Sequence, residues 1–450
     1  ALAEGLEVRF LANRDDALRF ALLTDHGDAP NAHLPGDAPA LDRLSERIAA
    51  LNQRYPLSDG GDRFLLLHRP RTWNASQGAW IGRERKRGKL EDLNRLIRHG
   101  DAGPFARTVG DLAGLRGAAF VIVCDTDTRL PRDAARALVG TIAHPLVRPV
   151  VDARTRLVSR GHAILQPRAA TALASARASW FAWLWAGDAG IDPYTRTVSD
   201  VYQDLFGAGS FIGKGIYDVA AVDDALAGRF PDAAILSHDL IEGSYTRAAL
   251  VSDVLVVEDH PARHLGDVAR RVRWIRGDWQ LLPWLLPWAP TAHGWARNPL
   301  DALARWKLAD NLRRSLVAPA CLLLIALAAA LTPAAAWAVA AVAALHLALA
   351  LLGGAGLLPR PREVPLLAHA RLVASGCARA ALTGVIELAF LPFDAWCAAT
   401  AIARTLWRLL VSRRRLLEDH LDRRRAMGTP SGQKHLYHPD CGTDRLHAVA

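Results

Sequence analysis

The sequence predicts an α/β domain on a mostly parallel sheet, followed by interfacial helices and a transmembrane helical region. Three observations lead there. Short apolar runs alternate with helical stretches early in the chain. A tryptophan- and arginine-rich stretch follows, and long apolar runs fill the region after residue 315. The 450 residues suffice for one large domain or two ordinary ones with additions.

Taken in order, Leu6–Ala12, Leu18–Thr24, Phe64–Leu67 and Ala118–Cys124 are short runs rich in Val, Leu and Phe, and read as strands. Helical stretches at Ala40–Gln53 and Leu90–His99 lie between them. Strands alternating with helices imply a sheet covered on both faces, with ligands beyond the carboxyl ends of the strands. Asp25 and Asp125 each follow a strand and are expected in that crevice. Further strands are expected at His162–Gln166 and Val254–Glu258, with a glycine-dense loop at Gly207–Gly215. This globular part spans 1–264.

Residues 265–310 form the second region, whose Trp274, Trp279, Trp284 and Trp288 with neighbouring arginines suit a lipid headgroup zone. In the third region, 311–416, Leu316–Leu331 and Ala334–Leu352 are apolar and separated by Thr332-Pro333, as in a tight transmembrane hairpin. A buried hairpin of a soluble domain is the alternative. Arg313, Arg314, Arg360 and Arg362 flank these runs and place the globular part in the cytoplasm. Ala378–Ala403 carries Arg379, Glu387 and Asp394, so it reads equally as a span or a re-entrant segment. Residues 417–450 are polar, without periodicity, and expected to be disordered.

Fifty-five Lys and Arg against 45 Asp and Glu leave a net charge of +10. Part of that excess sits beside apolar segments, which favours a lipid bilayer over nucleic acid. Five scattered cysteines without a CxxC pair exclude a disulfide framework and a thiolate zinc site, and fit a reducing compartment. The chain opens Ala-Leu-Ala-Glu without methionine or an apolar leader, and reads as a fragment or a truncated gene model.

Four groups of residues can carry chemistry. Asp125-Thr126-Asp127 directly follows an apolar strand, where two carboxylates can share a hard Mg²⁺ or Mn²⁺ ion with substrate phosphates. A turn and helix cap before Pro131 would use the same residues. Asp239, between apolar Ala233–Leu236 and Leu240-Ile241, suits a general base, or else a solvated carboxylate or cap. The run Arg270–Gln280 offers guanidinium forks for phosphate and Trp faces for sugar, or a cationic interfacial helix. Lys86, Arg87 and Lys89 around Gly88 can meet a diphosphate before a helix starts, or form a solvated basic face.

The order of these features resembles the processive family-2 glycosyltransferases, with one departure: Arg270 stands where that family has Gln in QxxRW. Longer motifs resemble the glucosyltransferase module of cyclic β-1,2-glucan synthases. They are ERKRGKLEDLN, DTDTRLPRDAARALVGTIAHPL, HAILQPR, GIDPYTRTVSDVYQDLFGAGSFIGKGIYDV, ILSHDLIEG, RRVRWIRGDWQLLPWLLP and DNLRRSLVAPA. The resemblance runs from about residue 5 to about residue 416 and lacks the phosphorylase-like module.

It implies a GT-A-like fold, Rossmann-like with a mixed, mostly parallel sheet. It also implies an inverting, metal-dependent glucosyltransferase at the cytoplasmic face of a bacterial inner membrane, multi-pass, using UDP-glucose and a β-glucan acceptor. By the same resemblance Asp239 is the base. Asp25, Lys89, Asp125, Arg273 and Trp274 bind the nucleotide sugar, and Asp125 and Asp127 bind Mn²⁺ or Mg²⁺. Gly209, Ser210, Phe211 and Trp274 meet the acceptor. A family-2 synthase of another linkage and an inactive membrane remnant or scaffold are the competing readings.

Overall fold

The computed structural model describes residues 1–58, 60–186, 200–331, 335–354, 362–418 and 446–449. The turn expected at Thr332-Pro333 and most of the polar tail lie outside the described residues.

The chain starts with helix α1 (Leu2–Ala12), where a strand was expected from Leu6. Ala3, Leu6 and Phe10 recur at helical spacing and bury one stripe, which apolar content alone did not reveal. Strand β1 (Phe20–His26) leads through helix α2 (Asp37–Arg54) to β2 (Phe64–Arg69). That helix is the crossover a parallel pair needs, and β1 and β2 are parallel, with Asp25 opposite Arg69. Helix α3 (Arg85–His99) and the short β3 (Arg107–Val109) follow. The second sheet comprises β4 (Phe120–Val123), β5 (Ile164–Thr171), β6 (Gly215–Asp218) and β7 (Ala249–Glu258), with helix α4 (Ala134–Ile142) after β4. Leu446–Val449, within the tail expected to be disordered, forms β8.

The sheets run β8-β1-β2-β3 and β7-β5-β6-β4. Each holds one parallel pair, β1 with β2 and β7 with β5; the other pairs are antiparallel. The fold is therefore mixed α/β, and the expectation of a mostly parallel sheet is corrected. Periodicity reports burial on a strand's faces and carries no direction, so it could not distinguish the two.

Side chains alternate across β2. Phe64 and Leu66 face α1 and α2, whereas Leu65 and Leu67 join Leu93, Leu96 and Ile97 of α3. The second cluster also takes Val123, Ile164 and Tyr217 from the other sheet, so one core joins the two sheets under α3. On the far face of the second sheet, Leu138 and Ile142 of α4 cover Leu165, Ile216 and Val256.

Helix α5 (Asp239–Tyr245) and helix α6 (His264–Gln280) lead to the apolar region. The region expected as interfacial helices is helical to Gln280 and again from Ala302; between them lie a 3-10 turn and an antiparallel hairpin, Trp288–Thr291 with Gly294–Arg297. Pro283, Pro287 and Pro290 remove the donors a continuous helix needs. Helices α7 (Ala302–Leu331), α8 (Ala335–Gly354) and α9 (Leu366–Trp407) come next, α9 packing on α6, α7 and α8. Phe230, Ile241 and Trp284 meet Ala304 and Leu308 of α7, which seats the first apolar helix on the globular domain.

Two helices are long and apolar enough to cross a membrane, Ala302–Leu331 and Leu366–Ser412. The described apolar stretch of α8, Ala336–Leu345, is shorter than a crossing. The multi-pass expectation thus rests on two candidate spans among the described residues. The third expected segment is one continuous helix. Leu323, Leu324, Leu327 and Leu331 of α7 stand exposed, an apolar face that water does not favour.

Candidate active site

Asp125-Thr126-Asp127 turn off the end of β4. The Thr128 amide donates to the Asp125 carbonyl at 3.1 Å, and the Asp125 amide donates to Thr128 Oγ1 at 3.2 Å. Arg9 of α1, buried, donates to the carbonyls of Asp125 (2.8 Å), Thr126 (3.2 Å) and Thr128 (2.8 Å). Arg129 and Val257 exchange backbone hydrogen bonds, which ties the same turn to the end of β7. A guanidinium that satisfies three carbonyls holds a turn better than the turn's own bonds alone.

Two cations meet Asp125. Lys86, in the first turn of α3, places Nζ 2.6 Å from Oδ1 and also donates to the Gly213 carbonyl at 2.6 Å. Lys214, just before β6, places Nζ 3.5 Å from Oδ2 and pairs with buried Glu258 at the end of β7. Burial pushes the Asp125 carboxyl up, but Lys86 and Lys214 outweigh it and hold it below its usual range. Burial likewise opposes the Lys214 charge, and Asp125 and Glu258 restore it. Asp127, two residues on, is exposed.

Asp239 begins α5 and lies against Gly213 (φ 89°), where a Cβ would stand 2.7 Å from Oδ2. Only glycine suits that close approach in that backbone region. Neighbouring His238 Nδ1 lies 3.5 Å from Asp239 Oδ1 and 2.9 Å from Glu242 Oε2. Burial disfavours charge on His238, while Glu242 and Asp239 carry its pKa above the ordinary imidazole value. Lys86, Phe211, Gly213, His238, Asp239 and Glu242 help line one cavity of about 400 Å³. The structure thus brings the Lys86–Asp125 pair and Asp239 together around Gly213.

Other sequence-predicted residues stand apart. Asp25 lies inside β1 and is 3% exposed; Arg69 donates to both its oxygens, at 2.9 and 2.8 Å. Lys89 is 3% exposed, 3.7 Å from the same carboxylate, and burial pushes its pKa down to about 8. Neither lines the cavity. Because α3 starts at Arg85, Lys86, Arg87 and Lys89 belong to its first turns, where a pre-helical loop was expected. Lys307 of α7 donates to the carbonyls of Ala208 (2.8 Å) and Gly209 (2.7 Å). Ser210 is buried and Phe211 reaches the cavity. Arg273 of α6 is exposed. Trp274 lines a second cavity, of about 170 Å³, with Glu258 and Arg270, whose guanidinium lies 4.9 Å from the Trp274 ring.

Sequence reasoning missed Arg9, Lys214 and Glu258 as parts of this site. Lys214 lay in view, as the one cation of the glycine-dense loop Gly207–Gly215. Arg9 carried no signal, because its partners lie more than a hundred residues away.

A divalent ion fits the chemistry at Asp125 and Asp127. Both offer carboxylate oxygen, the donor type Mg²⁺ and Mn²⁺ take. The Lys86 ammonium already occupies the place beside Asp125 Oδ1 that a cation would take.

The fold and site define a mixed α/β domain with a carboxylate–lysine cluster at a strand end, joined to helices of membrane-spanning length. No protein-family model matches the chain. In sequence it is related to Cyclic beta-(1,2)-glucan synthase NdvB of Rhizobium meliloti (strain 1021), with 43% identity over 426 residues. The match covers 93% of this chain, and the chain spans 14% of that relative's length. The resemblance carried by the motifs is thereby borne out as a relationship to a segment of such a synthase.

Proposed function

We propose that this chain transfers glucose from UDP-glucose, with inversion, to a growing β-1,2-glucan at the cytoplasmic face of a membrane. The observation that carries the reading is that Lys86, paired with Asp125, and Asp239 line one cavity on either side of Gly213. The similarity to a cyclic β-(1,2)-glucan synthase supports a β-1,2-glucan as the product.

Inversion in one displacement needs one base and a stabilised leaving group. Asp239, half-buried and facing the cavity, takes the proton from the attacking 2-hydroxyl. Asp125 and Asp127 would hold Mn²⁺ or Mg²⁺, which would supply positive charge against the leaving diphosphate. Lys86 and Lys214, the cations beside Asp125, meet diphosphate oxygens. Phe211 and Gly213 shape the wall against which the acceptor sugar lies. The exposed apolar faces of α7 and α9 support a bilayer setting.

The test is incubation of the full chain in membranes with UDP-glucose and Mn²⁺, followed by linkage analysis of the product. β-1,2-linked glucose is expected. Asp127→Asn and Asp239→Asn should each abolish transfer, with only Asp127→Asn weakening metal-dependent donor binding. Equal loss of donor binding in both would refute the base role, and another linkage would favour a different polysaccharide synthase.

A further inference from the structure

We propose that His238, Asp239 and Glu242 form a second cation site, for a borderline divalent ion of the zinc class, separate from Asp125 and Asp127. The three residues converge for a local reason. Asp239 and Glu242 are three apart in the first turn of α5, and His238 precedes it by one residue, four before Glu242. That spacing makes Glu242 the helical neighbour of both. One ligand atom from each lies within 4.8 Å of the others.

The two separations from His238 suit a shared ion. Two ligands each about 2.1 Å from a metal stand about 3.0 Å apart at a right angle and about 3.4 Å at a tetrahedral angle. His238 Nδ1 lies 2.9 Å from Glu242 Oε2 and 3.5 Å from Asp239 Oδ1.

An independent observation points the same way. His238 is 7% exposed, and its Nδ1 makes no hydrogen bond. Its one close partner is the Glu242 oxygen, in an ion pair at 2.9 Å. Held by that ion pair alone, the buried Nδ1 can exchange its proton for a divalent ion that meets all three groups. Access is open, because all three residues line the 400 Å³ cavity, which leaves room for water as a further ligand.

The donor set decides the class of ion. One imidazole nitrogen with two carboxylate oxygens suits Zn²⁺ and its neighbours, whereas Mg²⁺ takes oxygen alone. The site at Asp125 and Asp127 is all oxygen, so the two would sort different ions. On the reading of Asp239 as the base, an ion here takes the oxygen that must accept the proton. Zinc is then an inhibitor of transfer, acting at a place distinct from the activating metal.

The experiment uses the full chain in detergent, stripped by chelator and dialysed against Zn²⁺, with bound zinc measured by mass spectrometry. Wild type and Asp127→Asn should retain one equivalent. His238→Ala and Glu242→Gln should lose affinity by about 10- to 100-fold, the usual effect of disturbing a metal site. Glu242→Gln keeps shape and volume, and a circular dichroism melt establishes that it folds. Co²⁺ in place of zinc should give a visible absorption band in wild type that His238→Ala lacks. Zinc retained equally by both His238→Ala and Glu242→Gln, or by no form at all, overturns the site. Zinc bound at His238 without inhibiting transfer upholds the site and overturns Asp239 as the base.

Discussion

The Lys86 ammonium lies 2.6 Å from Oδ1 of Asp125 and 2.6 Å from the Gly213 carbonyl. One side chain thus links the proposed donor carboxylate to the residue that backs Asp239. Replacing it removes a cation from Asp125 and a donor from Gly213 together. Lys86→Met should lower kcat/KM for UDP-glucose by about 10- to 100-fold, the range for a charged hydrogen bond of about 1.5–3 kcal/mol. Steady-state kinetics check this, and Lys86→Arg should restore part of the loss by keeping the charge.

Gly213 has φ 89°, and a Cβ there would meet all three terminal atoms of the Asp239 carboxylate. Gly213→Ala should cost about 1–3 kcal/mol in stability from the backbone conformation alone. It should also displace Asp239, so transfer should fall well beyond what the melting temperature predicts. Normal transfer in a folded Gly213→Ala protein would separate Asp239's position from its activity.

Arg9 satisfies the carbonyls of Asp125, Thr126 and Thr128 from a different element. Arg9→Leu leaves all three without that donor, the Thr128 carbonyl buried, and should destabilise the protein by about 2–4 kcal/mol, read by denaturant unfolding. Mn²⁺ affinity should weaken as well, although Arg9 offers no ligand. Unchanged Mn²⁺ binding would show that the turn holds its shape without α1.

His68 is buried on β2, 2.8 Å from Thr24 Oγ1, and burial pushes its pKa from 6.5 down to about 4. Its folded value lies below its unfolded one, so the unfolded chain binds more protons between those limits. Stability from the neutral ring is complete above about pH 6.5 and is lost as pH falls toward 4, up to about 3 kcal/mol. His68→Gln should flatten the melting temperature over that window.

Much of this was legible in local pattern. The apolar runs at β1, β2, β4, β5 and the end of β7 announced strands, and α2 was expected as a helix from its sequence. Asp125, Asp127 and Asp239 were visible because each adjoins an apolar segment. The role of α1 was illegible, since its side chains act on a turn more than a hundred residues away. The partner of Asp25 was illegible for a similar reason. Strand register sets it opposite Arg69, which closes both its oxygens.

By itself, then, the sequence determined the α/β class, the apolar helices, the acidic residues at strand ends and the kinship to a glucan synthase segment. Each of these rests on neighbours in the chain or on long motifs, which sequence displays directly. Only the tertiary structure decided that the sheets are mixed in direction, that Lys86 and Lys214 flank Asp125, and that His238 and Glu242 gather around Asp239. Register, crossover and helix docking bring those groups within a few ångströms, and electrostatic and hydrogen-bonding forces depend on that separation rather than on distance along the chain.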